Sequence, residues 1–230
     1  MPLTIADRLD DVRRRMKAAA DRGGRSSRDV TLVVVGKTQP VPALAEAIAA
    51  GATDLGENRV QEAAAKRPLL HGPRWHLIGP LQRNKARTAL ELFDVIHTID
   101  RVPLVERLQL LLEQHCPGRR LTVLIEVNVG DEPQKAGISP AAVTELAREI
   151  VSSYNLELEG LMAIPPLVGE AEDSRRFFRH LAAVRERTQD ELGIELPHLS
   201  MGMSHDFEVA VEEGATLIRV GTAIFGPRRT

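Results

Sequence analysis

A lysine stands at the end of an apolar run in "TLVVVGKTQP", residues 31–40. Far along the chain, "LSMGMS" and "RVGTAIFG" each place small and hydroxyl residues after a short apolar segment: Ser200, Gly202 and Ser204, then Gly221 and Thr222. A lysine can act as a nucleophilic amine, and small residues with exposed N–H groups and hydroxyls bind anions without bulk positive charge. Gly36-Lys37-Thr38 also has the look of a nucleotide phosphate loop. That motif needs a glycine five residues before Gly36, and Thr31 stands there, so the reading fails on spacing. A third reading is a lysine that merely reaches solvent from a strand end.

The choice rests on the elements that position these residues. Ile5, Leu9, Val12 and Met16 recur at helical spacing, so residues 4–20 predict an amphipathic helix, its mixed-charge polar face suiting it to a core. After it the chain alternates. The strands are "LVVV", "TDLG", "WHLIG", "DVIHTID", "LTVLIEVNV", "LELEGLMAI", "PHLSMG" and "TLIRVG". A helix follows each. Pro40 and Gly51 bracket the first of them, Ser139 is expected to cap one opening at Pro140, Asp173 the long one ending near Gly193, and Ser204 the one in "HDFEVAVEEG". A short last helix is expected near Ala223. Eight strands apolar on both faces, joined by right-handed crossovers, predict a closed α/β fold: a single (β/α)8 TIM barrel over residues 1–230 with an extra N-terminal helix. The rival is an open doubly wound sheet. Residues 165–173, "PPLVGEAED", read as a loop on the C-terminal face.

In the barrel, strands one and eight are neighbours, so Lys37 meets the loops after strands seven and eight, where such barrels commonly hold phosphate. A desolvated lysine forms a Schiff base with an aldehyde. A phosphate-bearing aldehyde of suitable size is pyridoxal 5′-phosphate (PLP).

Composition bounds the rest. The net charge of −2 and 3% aromatic content argue against nucleic acid as a partner. A single cysteine, Cys116, rules out a disulfide framework and points to a reducing compartment. No apolar run reaches the roughly 20 residues of a membrane span, and the N-terminus lacks a signal-peptide core, so a cytoplasmic protein without a membrane partner is expected. Scattered histidines show no metal-ligand spacing.

The stretches "VVVGKT", "GATDLGENRVQE", "WHLIGPLQRNK", "VIHTIDR", "VLIEVNVGDEPQKAGI", "LEGLMAIP" and "LSMGMSHDFEVAVEEGATLIRVGTAIFG" resemble, in order and over nearly the whole chain, the YggS/PROSC family. Those are PLP homeostasis proteins, similar in fold to the N-terminal domain of alanine racemase. The resemblance implies that Lys37 carries PLP covalently as an internal aldimine. It also implies phosphate contacts at Ser200, Gly221 and Thr222, with Gly202 beside them. Gly36 departs from the family's serine, and Arg59 from its tyrosine.

Arg219 lies in an apolar strand, and a buried charge needs a partner. It either pairs with a carboxylate such as Glu126 or, as in the fold it resembles, points at the pyridine nitrogen. Asn58 is expected near the ring. His76 is either part of the site or a satisfied core histidine. The function expected is intracellular PLP storage, buffering or delivery by a monomer, with PLP-dependent apo-enzymes as recipients. The alternative is a small PLP-dependent amino-acid racemase. Racemisation needs a base on each face, and the only tyrosine, Tyr154, falls on the barrel's opposite end, so no second catalytic residue is assigned; His205 could stand in, without support from the sequence.

Overall fold

The computed structural model describes residues 3–227. Helix α1 (Ile5–Arg22) opens on Thr4, whose hydroxyl accepts from the Asp7 N–H while the Asp7 carboxylate accepts from the Thr4 N–H, a reciprocal cap. Then strands and helices alternate: β1 (Thr31–Val35), α2 (Val41–Ala49), β2 (Asp54–Glu57), α3 (Val60–Lys66), β3 (Arg74–Leu77), α4 (Ala86–Leu92), β4 (Val95–Ile99), α5 (Val102–His115) and β5 (Leu121–Glu126). They continue with α6 (Val143–Val151), β6 (Leu156–Met162), α7 (Arg175–Leu192), β7 (His198–Ser200), α8 (Phe207–Glu212), β8 (Leu217–Val220) and α9 (Thr222–Phe225).

The strands form a closed parallel barrel in chain order. Closure is made by β1 on β8, with Thr31, Leu32, Val33 and Val34 beside Leu217, Ile218, Arg219 and Val220. A tight approach lies between β6 and β7: a side chain at Gly160 would meet the His198 carbonyl oxygen at 2.0 Å. Burying both faces of each strand requires two apolar layers. Leu44, Phe93, Leu108, Phe178 and Phe207 belong to the large layer under the helices. Val33, Val95, Leu124, Met162 and Leu217 form a separate small cluster inside the barrel.

Helix α1 lies across the seam between the first and last units. The Arg13 guanidinium donates to the carbonyls of Ala50 and Gly51 after α2. On the other side Arg15 pairs with Glu208 at 2.8 Å, and Arg25 donates to the Val211 and Ala215 carbonyls, each at 2.9 Å.

Three expected caps are corrected. Asp173 sits inside a 3-10 turn, Ala171–Ser174, where its carboxylate accepts from the Glu170 N–H, and α7 starts after it. Ser139 precedes Pro140 as expected, but its side chain makes no cap bond, and a 3-10 turn leads into α6. Ser204 does not cap α8; Asp206 holds that position, accepting from the Met203 N–H at 2.7 Å. Ser204 is turned instead toward the start of α9.

Among the described residues, no helix is long and apolar enough to cross a membrane.

Candidate functional site

Lys37 follows β1 directly, and its backbone is held from below. The buried Lys66 ammonium donates to the Gly36 carbonyl at 2.8 Å and to Glu57 Oε1 at 2.7 Å. Glu57 ends β2 wholly inside, so burial pushes its carboxyl up although Lys66 opposes the shift. The same packing explains Gly36: a Cβ there would come within 2.9 Å of Glu57 Oε1 and 3.0 Å of Leu44 Cδ2. Thr38, next along, has φ +64°, a left-handed conformation that β-branched residues rarely adopt. Its N–H donates to Glu62 Oε2 at 2.9 Å. The lysine therefore leaves a sharp, pinned turn at the C-terminal mouth of the barrel.

A cavity of about 250 Å³ opens at this mouth. Val35, Ile78, Ile164 and Met203 give it apolar walls, and Lys37, Asn58, Ser204, His205, Arg219, Gly221 and Thr222 supply polar groups. Lys37, Asn58, Arg219, Gly221 and Thr222, all predicted from sequence, thus converge on one space. Ser200 and Gly202 do not line it. Ser200 is fully buried, and its hydroxyl accepts from Arg219 Nη1 at 2.6 Å and meets His97 Nδ1 at 2.9 Å. Gly202 has φ +91°, and a Cβ there would lie 2.5 Å from that of Ala210, so glycine is needed to seat α8. Ser204, which the sequence placed both in the anion-binding loop and at the start of a helix, belongs to the loop. Its hydroxyl accepts from the N–H groups of Gly221 (3.3 Å) and Ala223 (3.2 Å) and faces the cavity beside Thr222.

Arg219 is inside the barrel, with Nη1 donating to the Ser200 carbonyl (2.7 Å) and Nη2 to the Ala163 carbonyl (2.8 Å). Burial pulls it down to about 10, against the pull of Glu126 and Asp206, so it is charged at neutral pH. Among the described residues it makes no ion pair with Glu126. That carboxyl has a buried Oε2 without a hydrogen-bond partner and is pushed up to about 7 by burial, then by Asp100, against Arg219.

His76 is a satisfied core histidine: Nε2 meets Asp54 Oδ1 and Nδ1 meets His97 Nε2, both at 2.9 Å. Tyr154 lies in the turn before β6, at the far end of the barrel, and is 79% exposed. His205, in contrast, stands on the cavity wall.

The groups at the mouth fit a flat ring carrying an aldehyde and an anionic arm. Lys37 offers an amine, Arg219 a fixed cation, Thr222 and Ser204 hydroxyls. The buried Oδ1 of Asn58 has no partner among the described residues and can accept from a ring hydroxyl.

The sequence matches the family described as alanine racemase, N-terminal domain, over residues 8–229. It is 41% identical over 229 residues to the pyridoxal phosphate homeostasis protein of Aquifex aeolicus, covering 99% of this chain and 100% of that one. It is 43% identical over 236 residues to the protein of the same name from Escherichia coli K12, covering 97% of each. Among solved structures, PipY of Synechococcus elongatus with PLP bound superposes with a TM-score of 0.84 at 38% identity, covering 97% of this chain and 100% of that one.

Proposed function

Because the chain belongs to the alanine racemase N-terminal domain family, and within it to the pyridoxal phosphate homeostasis proteins, we propose that it binds PLP on Lys37 and keeps it in reserve for other proteins. The observation that carries this reading is the meeting of Lys37 from β1 with Arg219, Gly221 and Thr222 from β8 on one small cavity. When bound, the cofactor supplies an aldehyde for the lysine amine and an electron-accepting ring.

Each residue has a part in holding it. Lys37 would supply the amine for the cofactor's aldehyde, a condensation that releases one water and is reversible. Thr222 and Ser204 hold the phosphate beside the Gly221 backbone. Asn58 takes the ring hydroxyl. Arg219 would present to the pyridine nitrogen a cation that does not give up its proton, which would keep that nitrogen unprotonated and the ring a weak electron sink. Ser200 and Gly202 support the site from beneath: the first fixes Arg219, the second seats the loop that carries Ser204. A weak electron sink suits storage and delivery better than turnover. The recipients proposed are apo-enzymes that need the cofactor, and the setting is a cytoplasmic monomer of one barrel domain.

The test combines attachment with proton chemistry. Borohydride should fix a pyridoxyl group on Lys37, located by peptide mass mapping, and Lys37→Ala should lose it while keeping the fold. An adduct on Lys85 or Lys135 instead would refute the assignment. The loaded protein is then incubated with L- and D-amino acids in deuterated water. Little exchange, or exchange on one face only, fits a lone lysine. Inversion at about 1 s⁻¹ or faster that vanishes in both Lys37→Ala and His205→Ala would replace the carrier with a racemase.

A further inference from the structure

Five polar side chains from five strands meet in one hydrogen-bonded line inside the barrel. Asp54 of β2 bonds His76 of β3, His76 bonds His97 of β4, His97 bonds Ser200 of β7, and Ser200 bonds Arg219 of β8, at 2.9, 2.9, 2.9 and 2.6 Å. The His97–Ser200 step crosses the interior, since their strands are not neighbours. All five are at most 9% exposed. We infer that this chain is a positioning device of fixed polarity that holds Arg219 with its charge presented to the cofactor; the inference rests on the proposed role of Arg219.

The polarity follows from the two ends. At one end a guanidinium only donates, so the Ser200 oxygen accepts from it and keeps its single proton for His97 Nδ1, the direction that the carboxylate at the other end requires. Neutral His97 then carries its proton on Nε2 and donates to His76 Nδ1. His76 in turn carries its proton on Nε2 and donates to the Asp54 carboxylate, which only accepts. Read from Asp54, the order comes out the same. Neither histidine is free to change tautomer without stranding a buried group at one end. Charge placement agrees. Burial lowers both imidazoles, His97 strongly, with His76 and Arg219 adding to that effect, while hydrogen bonds from His76 and Thr53 outweigh burial and hold Asp54 low. The chain is thus a cation at one end, an anion at the other and two neutral rings between them. Each member is ordered by the next, and a guanidinium held this way cannot swing away from the ring nitrogen.

The first test uses cofactor-free protein labelled with ¹⁵N. Two-bond ¹H–¹⁵N correlations at pH 7 should show His76 and His97 both as neutral Nε2–H tautomers. An Nδ1–H tautomer at His97, or a doubly protonated ring at either position, overturns the inference. The second test measures PLP affinity. His97→Leu breaks the chain and should weaken binding roughly tenfold. His97→Gln, whose amide can accept from Ser200 and donate to His76, should recover most of that loss. Equal affinity in His97→Leu and wild type, or no recovery in His97→Gln, refutes the device. Labelling the cofactor separates the two readings. A protonated ring nitrogen in the wild-type complex refutes the role of Arg219. An unprotonated one, together with an unaffected His97→Leu, refutes the chain alone.

Discussion

Replacing Glu126 by glutamine should stabilise the protein at high pH and not at low pH. The carboxyl ends β5, is 5% exposed and has an orphan oxygen, and burial with the Asp100 charge pushes it from 4.5 up to about 7. A folded-state value above the unfolded one means that, between the two, the native state alone holds the proton. Stability from this group is therefore complete below about pH 4.5 and is lost as pH rises through about 7. Each pKa unit corresponds to about 1.4 kcal/mol, so the ionised carboxylate costs the folded state about 3 kcal/mol at pH 8, and less than 1 kcal/mol of that is already present at pH 5. Glutamine has nearly the same shape and no charge. Any fixed cost of burying its amide is the same at both pH values and cancels in the difference. Urea unfolding of both proteins at pH 5 and pH 8 should show the mutant's relative stability rising by about 2.5 kcal/mol between them. A change under about 0.5 kcal/mol would refute the argument, because it would mean that Glu126 ionises as an exposed carboxyl does.

Thr222→Ala removes the hydroxyl proposed to donate to the phosphate, a bond to a charged acceptor worth about 1.5–3 kcal/mol, so PLP affinity should fall tenfold or more. Pyridoxal, which lacks the phosphate, should bind nearly as before; equal effects on both would place Thr222 away from the anion. Gly79→Ala would put a Cβ 2.3 Å from the Asn58 carbonyl oxygen, so the Asn58 backbone must move. A stability loss of about 1–3 kcal/mol is expected on thermal unfolding, together with weaker PLP binding. Lys66→Met leaves the buried Glu57 carboxylate unpaired and should cost about 3–5 kcal/mol, whereas Lys66→Met with Glu57→Gln should recover much of it, as a double-mutant cycle would measure.

The barrel could be read from the chain because parallel strands buried on both faces leave an unbroken apolar mark, and the helices between them carry a different period. Lys37, Thr222 and Gly221 were legible for a related reason: strand ends in such a barrel all open on one face. What failed were assignments made from residue type at short range. Ser204 was grouped with the anion-binding loop but also given a capping role from the helix it precedes; the cap fails, because its hydroxyl serves the N–H groups of Gly221 and Ala223, a partnership no local pattern reveals. Asp173 was misassigned likewise, its partner lying three residues upstream. The Asp54–Arg219 chain was missed as a chain: Arg219, His76 and Ser200 were singled out one by one, Ser200 as a phosphate contact, and Asp54 and His97 not at all. A signal existed: "TDLG", "WHLI", "VIHT", "HLS" and "LIRV" each carry a polar group where a buried strand should have none. Buried polar groups must find partners, and five such strands closed into one barrel bring these side chains within reach of one another.

The seam between β1 and β8, with α1 laid across it, sets a schedule for biosynthesis. Lys37 is translated long before Arg219 and Thr222. At about 5–20 residues per second, roughly ten seconds or more separate their appearance on the ribosome. Contacts between such distant segments also form late in folding, because loop closure must come first. Capture of the aldehyde by a half-made chain is therefore limited to the bare reactivity of an exposed lysine. On the proposed function, tight retention starts only when β8 docks on β1, so a loaded molecule is also one whose barrel has closed.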